Sequence, residues 1–180
     1  MASAIAYAGA PGAFGELACR ERFPGCRHLG YISFRAVAEA VAAGEVDCGV
    51  LPLRNSRAGA VPGVAALLGA LPVAVIDHVL LKVAMQCVGL PAVRLTDLRE
   101  VHSHPVALRQ CDVFLGTLNA RPMPTADTAH AARLVAERGD PRIAALASAR
   151  AAELYGLGIL AADIQDAADN VTTFAAIARA

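Results

Sequence analysis

The sequence predicts one layered α/β domain, bilobed at most, whose strands are mostly parallel. Short apolar runs alternate with segments of helical period over almost the whole chain, as expected for strand–helix–strand units. A length of 180 residues suits one sizeable core and gives no reason to expect two independent domains. No internal repeat, low-complexity linker or run of charge interrupts the alternation.

The first elements follow in order from local patterns. The apolar run Ala4–Ala8 predicts a strand, and ELACRERF after it has the spacing of a helix. CRHLGYI predicts a second strand, FRAVAEAVAAG a helix that ends at Gly44, and VDCGVLPL a third strand. A helix near residues 61–70 then precedes the apolar run Leu71–Leu90, in which we expect one strand to cross between lobes.

The rest of the chain continues the alternation, in the segments REVHSH, HPVALRQCDVFLG, ARPMPT, DTAHAARLVAERG, RIAALAS, SARAAELYG and LGILA. Polar stretches with Gly or Pro fall where predicted strands lead into helices: GAPGAFG, LPLRNSRAG, HSHP, TADTA and ASAR. Ligands of open α/β sheets bind beyond the carboxyl ends of the strands, where helix N-termini offer N–H groups. We therefore expect the functional site at these stretches, and an anionic ligand.

Composition and charge exclude several classes of protein. Lys plus Arg and Asp plus Glu each number 16, so the net charge is zero and no basic surface indicates nucleic acid. Hydrophobic residues make up 56% and charged ones 18%, which favours a homodimer or higher homo-oligomer. No basic leader or membrane-length apolar stretch is present, so neither export nor a membrane partner is expected.

The cysteines indicate the compartment. They are odd in number, show no CxxC spacing and lie partly in apolar runs, as reduced cysteines do: Cys19, Cys26, Cys48, Cys87 and Cys111. We therefore predict a reducing environment and a cytoplasmic protein. No histidine or cysteine spacing matches a metal site.

The polar stretches, in their order along the chain, resemble the prephenate dehydratase family. The matching segments are IAYAGAPGAFGELA, GEVDCGVLPLRNSRAGAV, VHSHPVALRQC, PTADTAHAA, IAALASARAAELYGLGIL and IQDAADNVTTF. The resemblance implies a two-lobed fold like that of type II periplasmic binding proteins, with the active site in the interlobe cleft. One catalytic domain would occupy 1–180, with lobe 1 at about 1–77 plus 162–180 and lobe 2 at about 78–161. The family's phenylalanine-sensing domain has no counterpart in the chain, so regulation by that route is not expected.

The resemblance also implies a reaction. Family enzymes convert prephenate to phenylpyruvate, with loss of carbon dioxide and the ring hydroxyl, in phenylalanine biosynthesis. Because aromatisation drives the reaction, the protein must hold a dianion, protonate a poor leaving group and exclude water. A lyase that needs no cofactor is therefore expected, with prephenate as its small-molecule substrate.

The stretch DNVTTF matches the family's Asn-x-Thr-Arg-Phe. On this match Thr172 is the catalytic threonine that assists departure of the hydroxyl, and Asn170 and Phe174 belong to the substrate-binding set. Thr173 stands where the family has arginine, whose bidentate fork a hydroxyl does not replace. By residue type alone, Thr172 would be an ordinary strand threonine.

The stretch LPLRNSRAG matches the family's Pro-Ile-Glu-Asn-Ser-x-x-Gly. Asn55 and Ser56 are kept and would bind a carboxylate or the ring hydroxyl, although a turn or helix cap is the commoner use of both types. Arg54 stands where the family has glutamate, which reverses the charge beside a dianion. We hypothesise that Arg54 takes over the carboxylate binding lost at Thr173.

The stretch VHSHPVALRQC matches the family's Ser-His-Pro-Gln-Ala-Leu-x-Gln-Cys. Ser103 and Gln110 are predicted to bind substrate, being about two helical turns apart. Pro105 predicts the first turn of a helix capped near Ser103 or His104, which makes His104 a capping residue. Thr128 completes the predicted substrate-binding set.

Further departures from the family fall in the polar stretches more than in the helices, which suggests altered substrate handling. They are Ala13 and Gly15 for threonine and serine, His78 and Met85 for glutamate and histidine, and Asp127 for serine. Two alternatives to the dehydratase therefore stay open: a prephenate decarboxylase whose product is not aromatic, and a non-catalytic protein that binds a small carboxylate.

Overall fold

The structure is a computed structural model that describes residues 3–180. Its elements in chain order are β1 (Ala4–Ala8), α1 (Phe14–Arg22), β2 (Arg27–Tyr31), α2 (Phe34–Ala43), β3 (Cys48–Asn55), β4 (Gly59–Ala60), α3 (Val64–Ala70), β5 (Val73–Lys82) and β6 (Gln86–Gly89). After a 3₁₀ turn at Leu95–Asp97 follow β7 (Glu100–Ser103), α4 (Pro105–Arg109), α5 (Asp112–Gly116), β8 (Arg121–Pro124), α6 (Thr128–Arg138), β9 (Ile143–Ala147), α7 (Ala149–Leu154), β10 (Gly158–Ala161) and β11 (Val171–Arg179).

The first of two compact units joins both ends of the chain. It comprises the described residues up to Ala10, Phe14–Lys82 and Asn170–Ala180. Its sheet has the order β2-β1-β3-β11-β5, with β4 paired to β3. β1 runs parallel to β2 and β3, whereas β11 is antiparallel to both β3 and β5. The C-terminal strand thus lies between two strands from the first half of the chain.

Helix α2 closes the core of the first unit. The Ser33 hydroxyl accepts a hydrogen bond from the Ala36 N–H at 3.1 Å, and Gly44 ends the helix with φ of 74°, a conformation that favours glycine. The buried face of the helix packs Val37 and Val41 into a cluster with Ile177 of β11. This packing holds β11 in the middle of the sheet.

The second unit has a five-stranded sheet of its own. It comprises Pro11–Ala13 and Val83–Asp169, and its strand order is β10-β6-β9-β7-β8. The central strand β9 is buried at all five positions and pairs in parallel with β7 and antiparallel with β6. Helix α6, capped by the Asp127 carboxylate on the His130 N–H at 2.7 Å, buries its alanine-rich face.

The short segment Pro11–Ala13 belongs to the second unit because α7 holds it there. The Ser148 hydroxyl donates to the Gly12 carbonyl at 2.6 Å, and the Tyr155 hydroxyl donates to the Pro11 carbonyl at 2.8 Å. Gly12 has φ of 93°, and a Cβ at this position would lie 2.8 Å from the Ala151 Cα. Only glycine fits this approach.

Two sequence-based expectations about the sheets were wrong. The strands are not mostly parallel, because the returning strand β11 and the pair β6 and β10 run antiparallel to their neighbours. The run Leu71–Leu90 holds two strands and not one crossing strand: β5 ends at Lys82 in the first unit, and β6 begins at Gln86 in the second. Apolar composition continues through the break, so it does not mark where one strand ends.

Candidate functional site

The predicted catalytic stretch lies on β11, opposite the end of β3. In the antiparallel register Thr172 is the partner of Asn55, and Thr173 is the partner of Arg54. Since directly opposed residues share a face of a sheet and successive residues alternate, Thr172 and Asn55 lie on one face, and Thr173 and Arg54 on the other. The register shifts just after Thr173, where Phe174 pairs with Pro52. This bulge brings the two motifs into alignment.

The amide of Asn55 joins the two motifs. Its Nδ2 donates to the Asn170 Oδ1 at 2.7 Å and to the Thr172 Oγ1 at 2.9 Å. All three side chains are buried, with Asn55 9%, Asn170 1% and Thr172 8% exposed. Buried polar groups need such partners, so the three residues form one cluster that is called here the amide–threonine cluster.

The orientation of the Asn55 amide is fixed from its other end. Its Oδ1 accepts from the backbone N–H groups of Arg57 and Ala58, both at 2.9 Å. This is the turn that an asparagine side chain favours, and it leads to Gly59 with φ of 81°. A flipped amide would place NH₂ against two N–H donors, so the flipped state is excluded and Nδ2 must face Thr172.

Ser56 joins the same two chain segments through the backbone. Its N–H donates to the Val171 carbonyl at 2.8 Å, and its hydroxyl oxygen accepts from the Val171 N–H at 3.0 Å. The pair of bonds extends the ladder between β3 and β11 past the last strand residue. Ser56 therefore holds the residue before Thr172 in place.

The hydroxyl of Thr172 is left as a directed donor. Its oxygen accepts from Asn55, and no residue among 3–180 accepts its proton. A threonine hydroxyl that accepts on one side donates on the other. The cluster can therefore offer one hydrogen bond to an outside oxygen from a preorganised position.

Arg54 and Phe174 differ in exposure. Arg54 is exposed, and within the described part of the chain no salt bridge engages its guanidinium. Phe174 is 3% exposed and pairs with Val79, so it packs in the core of the first unit. Because positions 54 and 173 face each other, the family's glutamate and arginine would be direct cross-strand partners. The two departures are thus one change at one pair.

The remaining predicted residues lie on three different elements of the second unit. Ser103 is fully buried, and its hydroxyl donates to the Leu146 carbonyl of β9 at 2.7 Å. Gln110 ends α4, with its carbonyl accepting from the Asp166 N–H at 2.8 Å. Thr128 is the first residue of α6.

The prediction of a capped helix after VHS is confirmed. His104 is the N-cap of α4, and its Nδ1 accepts from the Val106 N–H at 3.2 Å, with Pro105 in the first turn. Burial lowers the pKa of His104 from its ordinary value. The neutral imidazole is the form that can accept in this way.

Three departures from the family have structural places. Asp127 caps α6, and a carboxylate caps as well as a hydroxyl does. Met85 is buried at 2%, with its N–H bonded to the Gln165 Oε1 at 2.8 Å, and His78 is exposed on β5. Asp127 thus has a structural role as a helix cap, and the suggestion that the departures alter substrate handling stays a prediction.

Sequence reasoning missed two polar contributions. The backbone N–H groups of Arg57 and Ala58 fix the Asn55 amide, and the Asp166 carboxylate accepts from the N–H groups of Asp112 and Val113, both at 3.1 Å. The pattern Asn-Ser-x-x-Gly is typical of a turn and could have predicted the first of these contributions. No local pattern signals the second, because 53 residues separate Asp166 from Val113.

Three of the five thiols are buried and poorly suited to nucleophilic chemistry. Burial raises the pKa of Cys19, of Cys87 and of Cys111 to about 12 each.

Residues 3–180 hold no group of three or more His, Cys, Asp or Glu side chains placed for a metal ion. Over the same residues, no helix combines the length and apolar character needed to cross a membrane.

Comparison with solved structures defines the class of fold. The methionine-binding protein MetQ matches 98% of this chain and 82% of its own, with a TM-score of 0.52 at 10% identity. The prephenate dehydratase of Arthrobacter aurescens, in complex with L-Phe, matches 98% of this chain and 60% of its own, with a TM-score of 0.86 at 28% identity. The fold is thus of the type II periplasmic-binding-protein kind.

The chain belongs to the prephenate dehydratase family, whose sequence profile matches residues 5–180. The arogenate dehydratase/prephenate dehydratase 1 of Arabidopsis thaliana, a chloroplastic protein, is 39% identical over 97% of this chain and 45% of its own length. A bifunctional N-acyl-homoserine lactone acylase/prephenate dehydratase of Komagataeibacter europaeus is 39% identical over 94% of this chain and 60% of its own. The chain spans about half the length of these relatives.

Proposed function

We propose that the protein is a lyase that converts prephenate to phenylpyruvate, carbon dioxide and water, in phenylalanine biosynthesis. The observation that carries the proposal is the Thr172 hydroxyl, which accepts from Asn55 at 2.9 Å and has no acceptor for its own proton among residues 3–180. Membership of the family supports a dehydratase activity in general. The geometry adds the group that this activity needs.

The proposed reaction needs stabilisation mainly at one atom, the departing C4 oxygen of prephenate. The bond from C1 of the ring to its carboxylate breaks and releases carbon dioxide, its electrons complete the aromatic ring, and the C4 oxygen departs as hydroxide, which takes up one solvent proton to give water. A hydrogen bond to that oxygen stabilises the charge that develops on it. Thr172 supplies this bond in the proposal, Asn55 donates to its oxygen so that the proton points outward, and Asn170 accepts from the same Asn55 amide.

The rest of the predicted site binds substrate in the proposal. Ser56, Gln110 and Thr128 would offer hydroxyl or amide groups, Arg54 a charge for a carboxylate, and Ser103 would act through the strand end that it holds. Asn55 and Asn170 act through Thr172, and Phe174 acts through the packing of β11. No cofactor enters these steps.

The proposed setting follows from composition. The five cysteines are free, which fits a reducing cytoplasm, and the apolar, uncharged chain fits a homodimer or higher homo-oligomer. Light scattering of the purified protein gives the oligomeric state. A monomer at micromolar concentration would contradict that part of the proposal.

The direct test is incubation of the purified protein with prephenate. Phenylpyruvate, followed by its ultraviolet absorbance at high pH, is the expected product. A nonaromatic product would instead identify a decarboxylase that retains the ring hydroxyl, and tight binding without turnover would identify a binding protein. Either of these two results would refute the proposal.

A further inference from the structure

Leu81 borders Thr172 on the side away from Asn55. Thr172 on β11 is opposite Asn55 on β3 and opposite Leu81 on β5. Since directly opposed residues of antiparallel strands share a face, the three side chains form one row across the sheet of the first unit, with Thr172 in the middle. The Cβ atoms of such neighbours lie about 5 Å apart. An acceptor on either neighbour would therefore be within reach of the Thr172 hydroxyl.

The main chain of Leu81 is engaged within the sheet. The carbonyl of Val171 accepts from the Ser56 N–H, and the N–H of Val171 donates to the Ser56 hydroxyl, so both groups of Val171 face the side of β3. These groups alternate in direction along a strand, so those of Thr172 face β5, where Leu81 is the opposed residue. In such a pair each carbonyl accepts from the N–H of the other residue, in the plane of the sheet. The carbonyl of Leu81 is thus bound by the main chain of Thr172.

The two side chains that flank the Thr172 hydroxyl cannot accept its proton. On one side Asn55 presents its NH₂ group, which only donates, while its Oδ1 accepts from the N–H groups of Arg57 and Ala58. On the other side Leu81 presents hydrocarbon. Thr172 is 8% and Leu81 9% exposed, so water reaches the pair from few directions. The proton is left to point out of the row.

The apolar side of the row continues along the same face of the sheet. Phe174 lies two residues after Thr172, Val79 lies two residues before Leu81, and the two are directly opposed. Both are buried, Phe174 at 3% and Val79 at 5% exposure. Leu81 is therefore the end of an apolar wall beside the hydroxyl. A hydrogen bond donated next to hydrocarbon is stronger than one in water, because the local dielectric is low.

Resting on the proposed function, we propose that Leu81 is a positioning residue for the reaction. It withholds an acceptor from the Thr172 hydroxyl, so the proton remains for the departing oxygen of the substrate. Asn55 acts on the oxygen of the same hydroxyl, and Leu81 acts on its proton. Because Leu81 acts only through Thr172, its replacement by a residue with an acceptor lowers kcat and leaves KM nearly unchanged.

The test places an acceptor beside the hydroxyl. Leu81→Asn keeps a side chain that branches at Cγ but brings an amide oxygen into the row. The kcat for prephenate is expected to fall about tenfold, because a hydrogen bond to the amide competes with the one to the substrate. Leu81→Met, which is apolar and of similar volume, retains most of the kcat. The control is Leu80→Asn, the same change at the next residue, which is 68% exposed on the opposite face and leaves kcat unchanged.

A purely structural role of Leu81 is distinguished by a second background. In a chain that carries Thr172→Val there is no hydroxyl proton to divert, so Leu81→Asn is expected to have no further effect on kcat. The same tenfold loss in that background, or an unchanged kcat in Leu81→Asn alone, would overturn the inference. Circular dichroism checks that each variant is folded. Leu81→Thr, which suits a strand and also brings an acceptor, replaces Leu81→Asn if that variant does not fold.

If the unaltered chain does not turn over prephenate, the proposed function fails and the inference is decided without substrate. Exchange of the Thr172 hydroxyl proton with water is then followed by nuclear magnetic resonance. Leu81→Asn gives the proton an acceptor within the protein, so exchange is expected to be slower than in the unaltered chain and in Leu80→Asn. Equal exchange rates in all three would refute the inference.

Discussion

The two units end their strands in polar residues of similar type but use them differently. At the end of β3 and the start of β11, the side chains of Asn55, Asn170 and Thr172 bind one another. At the end of β7, Ser103 instead binds the main chain of the neighbouring strand. In the first arrangement the proton of the Thr172 hydroxyl has no acceptor among residues 3–180. In the second, the proton of the Ser103 hydroxyl is bonded to the Leu146 carbonyl.

This difference separates polar residues that act on a ligand from those that hold the fold. A side chain bound to a backbone carbonyl stabilises the packing of a strand, and its loss is felt in the free energy of unfolding. A hydroxyl that is held by another side chain and has no acceptor of its own is preorganised for an outside partner. The predictions that follow ask whether the two regions differ in this way.

The largest effect is expected at Thr172. Thr172→Val keeps the shape of the side chain but removes the donor, so kcat falls by about two or more orders of magnitude, the usual worth of positioned acid–base help. Thr172→Ser restores most of the activity, and Thr96→Val, at an exposed position of the 3₁₀ turn, is the control. Phenylpyruvate absorbance measures all three. Full activity of Thr172→Val would remove Thr172 from the mechanism.

A smaller effect is expected at Asn55, where the chemistry can be changed without changing the shape. Asn55→Asp keeps an oxygen for the N–H groups of Arg57 and Ala58 but faces Thr172 with an acceptor. The threonine proton then turns inward, and kcat falls about tenfold. Circular dichroism checks that the fold is kept. Unchanged kcat would show that Asn55 does not direct the hydroxyl.

In the second unit, substitution of Ser103 is expected to lower the free energy of unfolding and to leave the activity nearly unchanged. Ser103→Ala removes the bond to the Leu146 carbonyl in a fully buried site, which costs about 1–2 kcal/mol in the free energy of unfolding. Urea unfolding measures this loss, and kcat changes little. If Ser103→Ala keeps its stability and loses activity, the contrast between the two units is contradicted. Ser103 would then belong to the substrate site, as the family resemblance implies.

The smallest effect concerns pH. Burial lowers the pKa of His102 from its ordinary value of 6.5, although a hydrogen bond with Glu100 opposes the shift. Between the lowered pKa and 6.5 the unfolded chain binds more protons at this residue, so stability rises with pH there and is lost on acidification. His102→Asn therefore weakens the dependence of urea midpoints between pH 7 and 5. A variant with the same slope as the unaltered chain would contradict the burial argument.

The sequence predicted the elements of the fold better than their pairing. Ala4–Ala8, the helix that ends at Gly44 and the cap at His104 follow from local patterns, and the structure confirms them. The antiparallel direction of β11 is not local, since its partner Asn55 is 117 residues from Thr172. Periodicity indicates a strand but not its neighbour.

The same limit applies to the candidate site. Motif matching proposed Thr172, Asn55 and Asn170 and linked Arg54 to Thr173 by a hypothesis of compensation, but it did not predict that the two residues are direct cross-strand partners. Their pairing depends on the bulge beside Thr173, which shifts the register by one residue. No residue type near the bulge predicts its position. Ser103 was predicted to bind substrate, and the structure places it at a buried strand end with its hydroxyl on the Leu146 carbonyl, a bond that the residue type alone does not predict.

The most direct test of the central claim, that Asn55 directs the Thr172 hydroxyl, is a double-mutant cycle. The kcat for prephenate is measured in the unaltered chain, Thr172→Val, Asn55→Asp and the double variant. Since Asn55 acts through the hydroxyl, the double variant is expected to be no slower than Thr172→Val alone. A double variant slower by the product of the two single effects would show that the residues act independently, and would contradict the account.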